Sequence, residues 1–234
     1  MGRHHTLTDS KFKTIRNKYQ TRTRPVRRRR KRRQSLRGVD IFFMARHFPA
    51  SEQEAEHRFP RLVIFDLDYT LWPLDVDTNP TLPFEVRRGT VFDSRGIECP
   101  LYKDVRAVLK AVADGGAIIA FASRTHDGAA ARALLEAHGL LHYLRGDERL
   151  LQAYPSGGRG KAKTQHFSQI KSAVGGISSR DIIFFDDMLD NIEQARKDGV
   201  CSVFLNRDDG LTCEDWLHAL DEWRKQYDTW DGKT

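Results

Sequence analysis

Long apolar runs are missing from this chain: no stretch reaches the roughly 18 residues a bilayer span requires, and the N-terminus lacks the apolar segment of a secretory signal. Cysteine is scarce. Cys99, Cys201 and Cys213 are odd in number, lie far apart and show no CxxC spacing, which argues against a disulfide framework and a cysteine-based zinc site. Both absences point to a reducing, intracellular setting, cytoplasmic or nuclear, and away from membranes. Acidic residues are scarce only at one end. Residues 1–60 hold 17 Lys+Arg against 5 Asp+Glu, net +12, whereas residues 61–234 hold 22 against 27, net −5. The overall charge of +7 therefore belongs to an arm, and the body is mildly acidic.

The arm is also poor in aliphatic side chains. Residues 1–39 end in "RPVRRRRKRRQSLR", where like-charge repulsion and the shortage of apolar surface oppose packing, so residues 1–43 read as a disordered basic arm. Its chemistry suits a nuclear import signal, a phosphate-gripping nucleic-acid patch or an Arg-rich organelle transit peptide. A duller reading starts the natural product at Met44, from which the balance is 24 basic and 30 acidic residues, net −6. Residues 44–60 then form a linker. Contact with nucleic acid is expected only through the arm, and the protein is expected to be a monomer.

What is present is enough for a core: 39% of the residues are hydrophobic, and a chain of this length accommodates one ordinary domain plus extra segments. From residue 61 short apolar runs without alternation mark strands covered on both faces: "RLVIF" (61–65), "AIIAFAS" (117–123), "DIIFF" (181–185) and "CSVFL" (201–205). Helical periods lie between them and close at Gly115, Gly139, Gly175 and Gly199. Strand–helix alternation predicts an α/β fold, a doubly wound, mostly parallel sheet over residues 61–230. Such sheets bind ligands beyond the carboxyl ends of their strands, where strand order reverses.

Three strands deliver polar groups to that edge: Asp66 and Asp68 after the first, Ser123 and Arg124 after the second, Asp186 and Asp187 after "IIFF". Any one alone is ordinary turn or cap chemistry; together they read as a site. The "DVDT" of residues 75–78 repeats the Asp-x-Asp spacing with no apolar run before it, the "RDDG" of residues 207–210 repeats the acid pair inside an obvious turn, and both are read as turn chemistry. Clustered carboxylates repel unless they are protonated or neutralised by a hard divalent cation with oxygen ligands, typically Mg2+. Beside a cation, an Asp can attack phosphorus to give an acyl phosphate, and a second carboxyl can move the protons. A cation is also wanted for the phosphoryl charge. Lys163, opening the "KTQHF" helix, is the candidate, with Lys161 the nearby alternative.

"DLDYT" (66–70), "SRT" (123–125), a lysine and "FFDDMLDN" (184–191) resemble the four motifs of the haloacid dehalogenase superfamily of phosphohydrolases. With "YTLWP" and "YP…K…HF" the chain is similar, over about residues 61–225, to the magnesium-dependent phosphatase 1 family. The resemblance implies a capless Rossmann-like fold and magnesium-dependent hydrolysis of phosphomonoesters, with phosphotyrosine in peptides and some sugar phosphates as substrates. It implies Asp66 as nucleophile and metal ligand, Asp68 as general acid/base and metal ligand through its backbone carbonyl, and Asp186 as metal ligand. Around the phosphate it implies the Leu67 amide, Ser123, Arg124 and Lys163, the last favoured by alignment back from His166 and Phe167. Thr70 and Asp187 are supporting residues, Thr70 by setting the orientation of Asp66. A nuclear protein-serine phosphatase or nucleic-acid 3′-end phosphatase would use the same aspartates, and a non-catalytic phosphate-binding module stands below both.

Four smaller expectations complete the reading. Residues 73–100 form a flap or small hairpin around the turn Asp93–Gly96, leaving an open site. Trp72 is either a wall at the entrance or, slightly favoured, core. Trp216, Leu220, Trp223, Tyr227 and Trp230 form the docking stripe of a last helix. His126 has a helix-end role, and "GGRGK" (157–161) is a surface loop, because Ala162 replaces the metal-binding Ser or Thr of a phosphate-cradling loop.

Overall fold

The computed structural model describes residues 59–156 and 163–228. The chain divides into two units, residues 1–58 and residues 59–234, and everything below concerns the second. The basic arm, most of the linker, Lys161 and Trp230 lie outside the described residues.

Five parallel strands form the central sheet. In chain order they are β1 (Leu62–Phe65), β4 (Ile118–Ser123), β5 (Leu151–Ala153), β6 (Ile182–Asp186) and β7 (Cys201–Phe204), arranged β5-β4-β1-β6-β7. The chain begins in the middle, runs outward through β4 and β5, then returns to the other side of β1 for β6 and β7. Strand order therefore reverses at β1, and a crevice opens beyond its carboxyl end. Register aligns the strands there: Phe65 pairs with Phe121 on one side and with Phe185 on the other.

Helices α1 (Val105–Asp114), α2 (Gly128–Ala137), α3 (Thr164–Ala173), α4 (Leu189–Lys197) and α5 (Cys213–Asp228) supply the covering layers. The buried stripe of α1 is Val105, Val108, Leu109 and Val112, and this helix packs on β4 and against α5. Because β1 is buried along its whole length, it tolerates only apolar side chains until its final carboxylate. Phe65 stacks on Phe185 with ring centroids 5.3 Å apart, each buried ring contributing about 1.5–3 kcal/mol. Trp216, Leu220 and Trp223 bury one face of α5, as the stripe predicts.

Two elements add to the expectation. The paired strands of the flap are β2 (Glu85–Arg87) and β3 (Thr90–Phe92), joined at Arg88 and Gly89. Both turn residues have positive φ, the conformation that matches hairpin twist. Asp93–Gly96 is a turn as expected, flanked by an antiparallel bridge between Phe92 and Glu98 and closed by the Asp93 carboxylate accepting from the amides of Arg95 and Ile97. The other addition is β5, a three-residue edge strand whose pairing with β4 comes from tertiary contact rather than from its own sequence.

Candidate active site

Asp66 continues β1 by one residue, its amide donating to the Phe185 carbonyl at 2.9 Å. That bond fixes the backbone from which its carboxylate enters the crevice. The carboxylate is 6% exposed and faces the Lys163 ammonium, which also donates to Asp186 Oδ2 at 2.6 Å. Lys163 itself is buried, immediately ahead of α3. Among the described residues it is the lysine that meets these carboxylates, Lys161 lying outside them. Asp186, the last residue of β6, accepts from the Met188 amide at 2.7 Å and from Asn191 Nδ2 at 2.9 and 3.1 Å.

Burial raises the Asp66 carboxyl above its ordinary range, opposed by Lys163; it raises Asp186 likewise, again against Lys163. Burial pulls the Lys163 ammonium down, but Asp186 and Asp66 outweigh that and hold it above its ordinary value. Asp187 is raised by burial and by Asp186, with Arg207 opposing. Asp66, Asp186 and Asp187 each bring a carboxylate oxygen within 4.8 Å of the others, all buried. Three carboxylates against the Lys163 ammonium and the Arg207 guanidinium at Asp187 still leave negative charge in excess, and every donor is a hard oxygen. The set fits a hard dication in character and placement.

Asp68 stands apart from that cluster. Its Oδ1 accepts from Trp72 Nε1 at 2.7 Å, and the backbone of Val76 also favours its charged form. Burial, opposed by the Trp72 bond, pushes it up to about 7, so it can hold and release a proton near neutrality. Trp72 is completely buried, as the core reading expected, but it also orients Asp68.

The supporting groups follow. The Leu67 backbone favours the charged form of the Asp66 carboxyl. Thr70 is fully buried with Oγ1 3.5 Å from Asp66 Oδ2. Ser123 ends β4, and its carbonyl accepts from His166 Nε2 at 3.0 Å, which ties the loop after β4 to α3. Arg124 lies across the crevice, its Nη1 donating to Asp190 Oδ2 at 2.9 Å and to Asn191 Oδ1 at 3.1 Å. Asn191 thus joins Arg124 to Asp186, a role that its place in "FFDDMLDN" only hinted at.

Both segments read as plain turns reach this region. Arg207, of the "RDDG" turn, has Nε 2.6 Å from Asp187 Oδ2 and its guanidinium 4.6 Å above the Tyr69 ring. The turn is pinned: Gly210 abuts the Tyr102 ring with no room for a side chain, and the Leu211 amide donates to the Thr70 carbonyl at 3.0 Å. Asp77, of "DVDT", accepts from Thr125, His126 and Asp127 in the loop after β4. His126 is exposed beside α2, whose N-terminus is capped by Asp127, in keeping with a helix-end role.

Residues 58–226 match the Acid Phosphatase family. Magnesium-dependent phosphatase 1 of Homo sapiens is 37% identical over 169 residues, covering 72% of this chain and 89% of that protein. A HAD-like hydrolase superfamily protein of Schizosaccharomyces pombe is 34% identical over 146 residues, covering 59% and 81%. Among solved structures, a HAD-superfamily hydrolase from Ehrlichia chaffeensis aligns with a TM-score of 0.47 and 15% identity, over 73% of this chain and 98% of that one. With the family match spanning the whole sheet and its two acidic strand ends, the chain belongs to the acid phosphatase family, in its magnesium-dependent phosphatase 1 branch, and is a phosphatase.

Proposed function

We propose that this chain hydrolyses phosphomonoesters with Mg2+, through an aspartyl phosphate on Asp66. The observation that carries the reading is the division of the two aspartates two residues apart. Asp66 faces an ammonium inside an acidic cluster, while Asp68 is turned away onto Trp72 and holds its proton up to about 7. Asp66, Asp186 and Asp187 would hold the ion, which when bound neutralises their charge and that of the phosphoryl group.

In the first step an Asp66 oxygen forms a bond to phosphorus as the ester P–O bond breaks, and the Asp68 proton goes to the leaving alkoxide. In the second, water attacks phosphorus and loses a proton to Asp68. The Asp66–phosphorus bond breaks, inorganic phosphate leaves, and both carboxyls return to their starting states. Lys163, the Ser123 hydroxyl and the Leu67 amide are the groups that would balance phosphoryl charge. An Asp in the position of Asp68, rather than a residue without a proton to give, favours turnover over a parked phosphoryl group.

Phosphotyrosine peptides and sugar phosphates are the proposed substrates. A flap of two three-residue strands leaves room for a large substrate, and the motif resemblance set out above implies the same choice. Protein-serine or nucleic-acid 3′-end phosphatase activity draws its support from the arm of residues 1–43, outside the described residues. The experiment is a screen of the purified chain with Mg2+ against phosphotyrosine peptides, phosphoserine peptides, sugar phosphates and 3′-phosphorylated oligonucleotides. Turnover confined to oligonucleotides would reverse the substrate choice.

A further inference from the structure

The flap folds mainly on itself. The Asp93 carboxylate accepts from the amides of Thr81, Arg95 and Ile97 at 3.1, 2.9 and 2.8 Å, and the Ser94 amide donates to the Thr81 carbonyl at 2.9 Å. Where the flap meets the body, two adjacent residues take opposite partners. The backbone of Val76 lies by Asp68 and favours the charged form of its carboxyl, and the side chain of Asp77 crosses to the loop that follows Ser123 and Arg124.

That crossing is dense. Asp77 Oδ1 accepts from Thr125 Oγ1, from the His126 amide at 2.9 Å and from the Asp127 amide at 2.9 Å; Oδ2 accepts from the His126 amide at 3.0 Å and faces His126 Nδ1 at 3.2 Å. Three consecutive residues, 48 to 50 positions away in sequence, thus close on one carboxylate. The loop closes on itself around the same point. Thr125 Oγ1 also accepts from the Asp127 amide at 2.9 Å, and the Thr125 amide donates to Ser123 Oγ at 3.2 Å. Asp77 donates its own amide to Asp75 Oδ1 at 2.9 Å, so its backbone is also held. A side chain that served only its local turn would not need partners on another strand's loop; hydrogen bonds of this kind, from a charged acceptor to backbone amides, are the stronger sort.

We propose that Asp77 is a positioning residue: it sets the loop carrying Ser123 and Arg124 against Asp66 and Asp68, and so determines how well the phosphoryl group is bound. The proposal rests on the reading of Ser123 and Asp66 as the phosphate site. Positioning of this sort acts on binding through another residue. A displacement of about 1 Å in a site costs up to about 10²-fold; truncation of a partly exposed carboxylate, with the loop still held by His166 at the Ser123 carbonyl, is expected to reach a fraction of that.

The test compares the full chain with Asp77→Ala, Asp77→Asn and Thr125→Val, using an aryl phosphate as substrate and inorganic phosphate as inhibitor, with saturating Mg2+. Asp77→Ala is expected to raise both KM and the inhibition constant of phosphate roughly tenfold, with kcat changing less. Asp77→Asn, which keeps an acceptor for the amides, falls between, and Thr125→Val moves in the same direction. If Asp77→Ala lowers only the unfolding midpoint and leaves KM and phosphate inhibition at the parent values, Asp77 is a turn residue and the proposal is wrong. Should that variant fail to fold, Thr125→Val decides: unchanged KM and phosphate inhibition overturn the proposal. A parent chain that neither turns over the ester nor responds to phosphate overturns the underlying site reading instead, a result distinguishable from the others because it appears before any substitution.

Discussion

Trp72 Nε1 donates to Asp68 Oδ1 at 2.7 Å, from an indole with no exposed surface. A core side chain thereby fixes the carboxyl assigned to proton transfer, because a buried donor must find an acceptor and Asp68 is the one in reach. Trp72→Phe keeps most of the packing and removes that donor. Expected are a fall in kcat of on the order of tenfold, through loss of orientation of the acid, and a stability loss of about 1–2 kcal/mol. Steady-state kinetics and denaturant unfolding of the two proteins check both.

Lys163 is shared by Asp66 and Asp186, and all three are buried. Removing one partner of a buried ion pair leaves uncompensated charge, a loss of about 3–5 kcal/mol. Lys163→Met is therefore expected to unfold markedly earlier than the parent in chelator. Denaturant midpoints with and without Mg2+ check this, the ion narrowing the gap by binding the folded form.

Asn191 holds both oxygens of Asp186. Groups that orient a metal-ligating carboxylate typically account for 10–100-fold in metal affinity. Asn191→Leu is expected to raise the Mg2+ concentration for half-maximal activation by about tenfold, while the Arg124 guanidinium keeps its bond to Asp190. Titration calorimetry with Mg2+ gives the same comparison without substrate.

His138 supplies a pH dependence remote from the acidic cluster. Burial, helped by the nearby Arg106 charge, pushes its imidazole down to about 4, against a Nε2 bond to the Cys99 carbonyl at 2.9 Å; its ring also stacks on Trp72. The folded value lies below the ordinary value of 6.5. The unfolded chain therefore takes up the proton first, so the contribution is intact above about 6.5 and is lost as pH falls toward about 4. Unfolding free energies from pH 7 to 4 are expected to fall more steeply for the parent than for His138→Gln. The difference is on the order of 3 kcal/mol at most.

The sheet and the acidic cluster were readable because burial on both faces leaves a strand no alternative to an unbroken apolar run. The first polar residues after Phe65, Ala122 and Phe185 then fall at the ligand edge. Its place at the start of the "KTQHF" helix makes Lys163 the candidate, and the resemblance favours it over Lys161, although helix-end lysines are ordinarily solvated. Asp77 and Arg207 looked like turn residues because their partners, Thr125 and Asp187, lie far away in sequence and local spacing carries no trace of them. Strand β5 was invisible for a related reason. Three residues have too little pattern of their own, and the edge of β4 supplies the order.

The central claim is that Asp66 carries the phosphoryl group. It is tested most directly with Asp68→Asn and Mg2+, using an aryl phosphate whose good leaving group needs no acid, so that the intermediate forms but decays slowly. Borohydride quenching converts an aspartyl phosphate to homoserine, which peptide mass spectrometry locates. The account predicts homoserine at position 66. Release of the aryl alcohol with Asp66 unmodified, or with the label on another carboxylate, would contradict it.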